Sequence, residues 1–283
     1  MREQVEKEQD FHREVLVYSE LEQFLEMWNN PLRKCHLELS HEITRPMIHR
    51  LLPLLLNHEG PASSSLLRSD NHNDKDNENE INTDHDVHSP DANRNDTPAL
   101  QFASFKFTGY NTSFCRSDNA MSNNDDYVCT PDDKRSFLSA LARYPLSFDG
   151  ATEILLELLS ICEIDHFTSQ SLYISDVDLS NSDFQKLGDM IQKNVQLTEL
   201  TLRLPLIHAP CAFYDRLADS IHIQKLHLGT TFYSVEILPK LIAGEDGNGV
   251  VERMLRNPQC QVVELDLSNT CLEDHHLIAL APS

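Results

Sequence analysis

Glu273-Asp274-His275-His276 is the densest group of potential metal ligands in the chain. Adjacent histidines on a turn project in different directions, and their spacing here matches no zinc signature. The rest of the fourteen histidines scatter, and the acidic run between Ser69 and Pro98 lacks the ordered ligand spacing of a calcium loop. Seven cysteines (Cys35, Cys115, Cys129, Cys162, Cys211, Cys260, Cys271) include no CxxC pair, and none has a recognisable base and orienting group beside it. Cys162, inside LLSICEI, reads as a packing residue. GEDGNG at Gly244–Gly249 carries neither the lysine-threonine pair of a phosphate loop nor a G-x-G-x-x-G frame, and neither G-x-S-x-G nor H-E-x-x-H occurs. These residues predict no catalytic centre, no metal and no cofactor, so the expectation is a protein that is not an enzyme.

The pattern that does carry chemistry is alternation. Glu199, Thr201 and Arg203 alternate with Leu200 and Leu202, Lys225 and His227 with Leu226 and Leu228, and Glu264, Asp266 and Ser268 with Leu265 and Leu267. In an extended chain that arrangement sends the leucines to one face and the polar residues to the other. Glu199, Thr201, Arg203, Lys225, His227, Glu264 and Asp266 are therefore the candidate partner-binding residues, a polar strip able to dock another protein.

The elements that must hold this strip repeat along the chain. Leu197-x-x-Leu200-x-Leu202, Ile223-x-x-Leu226-x-Leu228 and Val262-x-x-Leu265-x-Leu267 each predict a short strand followed by a helix, the helices falling near Ala212–Ile221, near Val235–Ile242 and from Leu277. Ile174-x-x-Val177-x-Leu179, with Phe184, Leu187 and Ile191 after it, reads as an earlier copy. Taken at Val177, Leu200, Leu226 and Leu265, the steps are 23, 26 and 39 residues, the last containing the GEDGNG insertion. One such unit cannot bury its apolar side alone, so copies must stack.

Upstream the pattern loosens. Residues 1–30, an expected N-terminal cap, place Phe11, Val15, Tyr18, Leu21, Leu25 and Trp28 on one helical stripe; a competing reading makes Glu14–Tyr18 a short strand, with Ser19 and Glu22 as the capping box of a new helix. Residues 31–56 form a first degenerate repeat, with Leu32, Cys35 and Leu37 in the strand, Ile43 after it, and a return helix from Arg45 that Pro53 should kink or end. Residues 57–98 read as a disordered acidic insert: between Ser69 and Pro98 nine acids against Lys75 and Arg94 leave a net charge of about −7 and almost no apolar side chain. Residues 99–171 form a further degenerate repeat region, in which Phe102, Phe105 and Phe107 make a strand, Thr130-Pro131-Asp132-Asp133 opens a helix, and Asp149 caps another. Residues 172–283 hold the firmest repeats, the last incomplete and without a polar closing cap.

Lys+Arg 23 against Asp+Glu 45 gives a formal charge of −22. That balance, without a basic stripe, argues against nucleic acid and against an anionic membrane surface, and makes a basic protein the electrostatically easy partner. The first residues carry no apolar signal segment, and Leu51–Leu56, interrupted by Pro53, is far too short to span a bilayer. With an odd number of unpaired cysteines, the expected setting is the cytoplasm or nucleus.

LTELTL at Leu197–Leu202, IQKLHL at Ile223–Leu228 and VVELDLSNTCLEDHHLIALA at Val262–Ala281 resemble the ribonuclease-inhibitor-like leucine-rich-repeat superfamily. The resemblance implies an α/β leucine-rich-repeat solenoid, with a curved parallel sheet inside and helices outside, that binds proteins by its concave face or rim. The asparagine that usually follows the strand is displaced or missing in most repeats, so the chain is closer to the degenerate repeats of ubiquitin-ligase substrate receptors than to a regular inhibitor. Glu157–Cys162 also has the leucine and cysteine spacing of an elongin-binding box, although its opening residue departs from that motif and His166 stands where an apolar residue belongs. The expectation is a non-catalytic interaction scaffold; the alternative is the substrate-recognition subunit of a cullin-type ubiquitin ligase.

Overall fold

A computed structural model describes residues 34–56, 101–115, 127–161, 167–204, 206, 209–229, 249–268, 270 and 272–280. The expected N-terminal cap, the acidic insert and the helix near Val235–Ile242 lie outside the described residues. Among the described residues, seven strands alternate with seven helices: β1 Lys34–Leu39, α1 Arg45–Leu56, β2 Gln101–Thr108, α2 Pro131–Leu141, β3 Leu146–Asp149, α3 Thr152–Ile161, β4 Ser171–Ser175, α4 Asn181–Lys193, β5 Glu199–Arg203, α5 Cys211–Ala218, β6 Lys225–Gly229, α6 Val250–Arg256, β7 Glu264–Asp266 and α7 Asp274–Leu280. All seven strands are parallel neighbours in one sheet, in chain order. Each helix packs on the next, so the helices form one layer flanking the sheet. No helix among the described residues is long and apolar enough to cross a membrane.

The register explains why the leucines recur. Leu146, Leu172, Leu200, Leu226 and Leu265 stand side by side across β3 to β7, with Phe148, Ile174, Leu202 and Leu228 forming a second row. On the other flank Cys35, Leu37 and Leu39 face Phe102, Phe105 and Phe107, and Phe107 stacks on Phe148 at 5.3 Å between ring centres. All of these but Leu265 are buried, and one continuous core runs from Cys35 to Met254. The helices close it with the expected periodic side chains: Phe137 and Leu138, Ile154 and Leu155, Phe184 and Leu187, Phe213 and Leu217. Two helices begin in complete capping boxes, Thr130 with Asp133 and Ser180 with Asp183, each serine or threonine bonding an amide that the first turn leaves free.

Three sequence expectations change. The strand expected through Val177 is Ser171–Ser175; Leu172 and Ile174 point inward, while Val177 and Leu179 are buried beyond its end. Leu172, Ile174, Val177 and Leu179 are spaced two, three and two apart, so two frames fit. The correct frame puts Ser169 at the first inward position, where its hydroxyl is satisfied by the Ser171 carbonyl at 2.8 Å. Asp149 is not a helix cap but the last residue of β3, a four-residue strand carrying only Leu146 and Phe148 inward. Pro53 does not end its helix: α1 continues to Leu56, with the proline on its exposed side.

Candidate functional site

The face of the sheet opposite the described helices is built from the residues between the buried ones, and the register brings the predicted strip together. Glu199 faces Lys225 and Lys225 faces Glu264; Thr201 faces His227 and His227 faces Asp266; Arg203 faces Gly229. Lys225 Nζ donates to Glu199 Oε1 at 2.6 Å, both side chains about half exposed (46% and 45%). This bond, with Glu264 on the other side, raises the Lys225 ammonium above its ordinary pKa. His227 lies between two carboxylates, its Nε2 3.3 Å from Glu264 and its Nδ1 3.9 Å from Asp266. Ser268, by side chain and by a 2.8 Å amide bond, holds Asp266 below the usual carboxylate range, with His227 and Arg203 adding to it.

Ser268 therefore spends its hydrogen bonds on Asp266 rather than on His227. The serine, histidine and aspartate do not line up as nucleophile, base and orienting acid. Among the described residues no group of three or more His, Cys, Asp or Glu side chains converges on a point that could hold a metal ion. His275 and His276 stack on each other at 3.8 Å between ring centres, and His275 sits 3.4 Å from Glu273, so that cluster engages itself. The arrangement on the sheet offers charged groups and hydrogen-bonding side chains to another surface.

The strip continues beyond the predicted residues. Tyr173 lies beside Thr201, and Ser175 beside Arg203, on β4. The Arg203 guanidinium sits over the Tyr173 ring at 5.8 Å. On β1 and β2, Lys106 pairs with Glu38 at 3.5 Å and Ser104 with His36 at 2.6 Å. At the C-terminal ends of β3 to β7 this face dips into a depression of about 290 Å³ whose rim includes Asp149, Tyr173, Asp176, Arg203, Asp266 and Ser268. Sequence reasoning missed Asp149, Tyr173 and Asp176. The available signal was Leu146-x-Phe148, a two-residue alternation placing Ser147 and Asp149 outward, together with Leu172-x-Ile174 for Tyr173.

In the segment with elongin-box-like spacing Leu158 and Leu159 are buried and Ser160 is exposed, while Cys162 lies outside the described residues. No protein-family model matches the chain, and no curated protein or solved structure shows significant similarity to it.

Proposed function

We propose that the chain is a leucine-rich-repeat solenoid of the ribonuclease-inhibitor-like kind and a non-catalytic scaffold that binds a protein partner through the polar face of its sheet, with the helices on the convex side. Strictly sequential parallel strands with identically placed inward leucines support the repeat reading. One observation carries the binding reading. The face opposite the helices presents Glu199, Thr201, Arg203, Lys225, His227, Glu264 and Asp266 as one laterally continuous, solvent-accessible array. A sheet face that served only solubility would not need charges matched strand by strand.

Quantitative affinity capture from cells compares the wild-type chain with Glu199→Lys/Asp266→Lys. The reading expects specific proteins to disappear from the variant's eluate while its melting temperature stays within about 2 °C, because both positions are on the surface. Identical eluates from the two proteins sink it. Elongin or cullin subunits among proteins captured equally by both would favour the ligase-receptor alternative, with the polar face reading its substrate.

A further inference from the structure

Most carboxylates of the polar face have a side-chain partner among the described residues. Glu38 has Lys106, Glu199 has Lys225, Glu264 has His227, and Asp266 is held by Ser268 with His227 and Arg203 close by. The exception is the depression at the strand ends. Asp149 and Asp176 line it and have no cationic partner among the described residues; Asp176 receives only the Ser175 hydroxyl, at 3.3 Å.

The backbone sets Asp176 there at a conformational cost. Thr108, Asp149 and Ser175 are neighbours in register, so the residues after them, Gly109, Gly150 and Asp176, occupy the same position of successive turns. All three have positive φ, +88°, +72° and +54°. Two turns use glycine, which adopts that conformation freely; the third uses an aspartate and so plants a carboxylate on the rim. The floor beside it lacks a side chain because the last outward position of β6, beside Arg203, is Gly229. A Cβ there would have room, 3.5 Å from the Ser268 carbonyl and 3.7 Å from Arg203 Cγ. The result is a recess with two carboxylates that pair with no cation among the described residues and the Tyr173 ring in its wall.

We infer that this recess receives a cationic side chain, arginine or lysine, from a basic segment of the protein partner. The inference rests on the proposed docking face and adds its partner class and anchoring point. Two carboxylates around a partly desolvated recess favour a guanidinium or ammonium over any neutral side chain. Arg203 also lines the recess, but three carboxylates, Asp149, Asp176 and Asp266, outnumber its one guanidinium.

The test uses the full chain and a fluorescein-labelled peptide of alternating arginine and glycine, with a citrulline version as the isosteric neutral control, read by fluorescence anisotropy at physiological salt. Expected are a loss of about tenfold or more on arginine-to-citrulline exchange and on Asp149→Asn or Asp176→Gly, as for a charge-assisted contact. Gly229→Val, which fills the floor and keeps every charge, should also weaken binding. Asp132→Asn, the same charge change on the helix side, should alter it by less than about twofold. Equal weakening by Asp132→Asn, or unchanged binding in Asp149→Asn and Asp176→Gly, overturns the inference, since attraction would then be diffuse or located elsewhere. If Glu199→Lys/Asp266→Lys still abolishes partner capture in that event, the docking face stands and only its anchor is lost.

Discussion

Asp133 Oδ2 lies 3.2 Å from Arg45 Nε, tying α2 to α1, while the same carboxylate closes the capping box of its own helix with Thr130. His49 adds a second contact at 3.1 Å. One side chain thus joins two neighbouring units and satisfies a helix start. Burial alone would push the Asp133 carboxyl up, but the hydrogen bonds from Thr130 and His49 and the charge of Arg45 outweigh it and hold the group below the ordinary value of 3.8. A carboxylate with a lowered native pKa contributes stability above its unfolded value, and that contribution disappears as pH falls through the native one. Urea unfolding of wild type and Asp133→Ala should differ by roughly 1–2 kcal/mol at pH 7. The gap should narrow below about pH 4. A gap that stays constant into the acid range would mean the carboxylate's charge is not what matters.

Burial along the leucine row is uneven, and stability should follow it. Leu200 and Leu226 are 1% and 0% exposed, whereas Leu265, on the outermost strand, is only half-buried. Leu200→Ala or Leu226→Ala removes atoms that have neighbours on both sides and should cost about 2–5 kcal/mol by denaturant titration. Leu265→Ala leaves no closed cavity and should cost about 1 kcal/mol or less. Equal losses at all three sites would show that the last strand is covered in solution.

How much of this was legible in advance depends on what each residue does. The ladder at Leu200, Leu226 and Leu265 could be read because every inward position there is aliphatic and the outward ones, Gly229 apart, are polar, so only one frame fits. The seven strip residues followed from the same alternation. β3 was obscured because four residues with two apolar side chains look like a break between helices, and Pro145 strengthens that impression. β4 was misframed because buried Ser169 stands where the pattern calls for an aliphatic residue. Asp176 was beyond reach: its role comes from sharing a turn position with Gly109 and Gly150, a kinship visible only once Asp149 and Ser175 are known to be neighbours.

The cysteines divide by environment. Cys129 is buried, its thiol bonds the Ile43 carbonyl at 3.1 Å, and burial, with Cys115 and Asp133 nearby, pushes its pKa up to about 12. Cys211, at the start of α5, is exposed. Since the thiolate is the reactive form, iodoacetamide at pH 8 should label Cys211 within minutes and leave Cys129 unmodified until the chain unfolds. Peptide mapping by mass spectrometry after timed quenching reads both. Early labelling of Cys129 would place that part of the core in a locally open state.

Asp176 and Gly150 allow conformational cost to be separated from binding. At Gly150 the positive φ strains any side chain, although its Cβ would meet only the Gly109 backbone at an ordinary 3.6 Å. Gly150→Ala should therefore destabilise by about 1–2 kcal/mol through the left-handed backbone alone. Asp176 already bears a conformational cost of that kind, softened because short polar side chains tolerate the region better than alanine does. Asp176→Gly should leave stability unchanged or raise it by up to about 1 kcal/mol, and Asp176→Ala should lower it. If Asp176→Gly is instead strongly destabilising, the carboxylate supports the turn, and its place on the rim follows from the fold rather than from a partner. A glycine variant that melts no lower than wild type yet no longer holds the arginine peptide would show an aspartate kept for what it touches outside the chain.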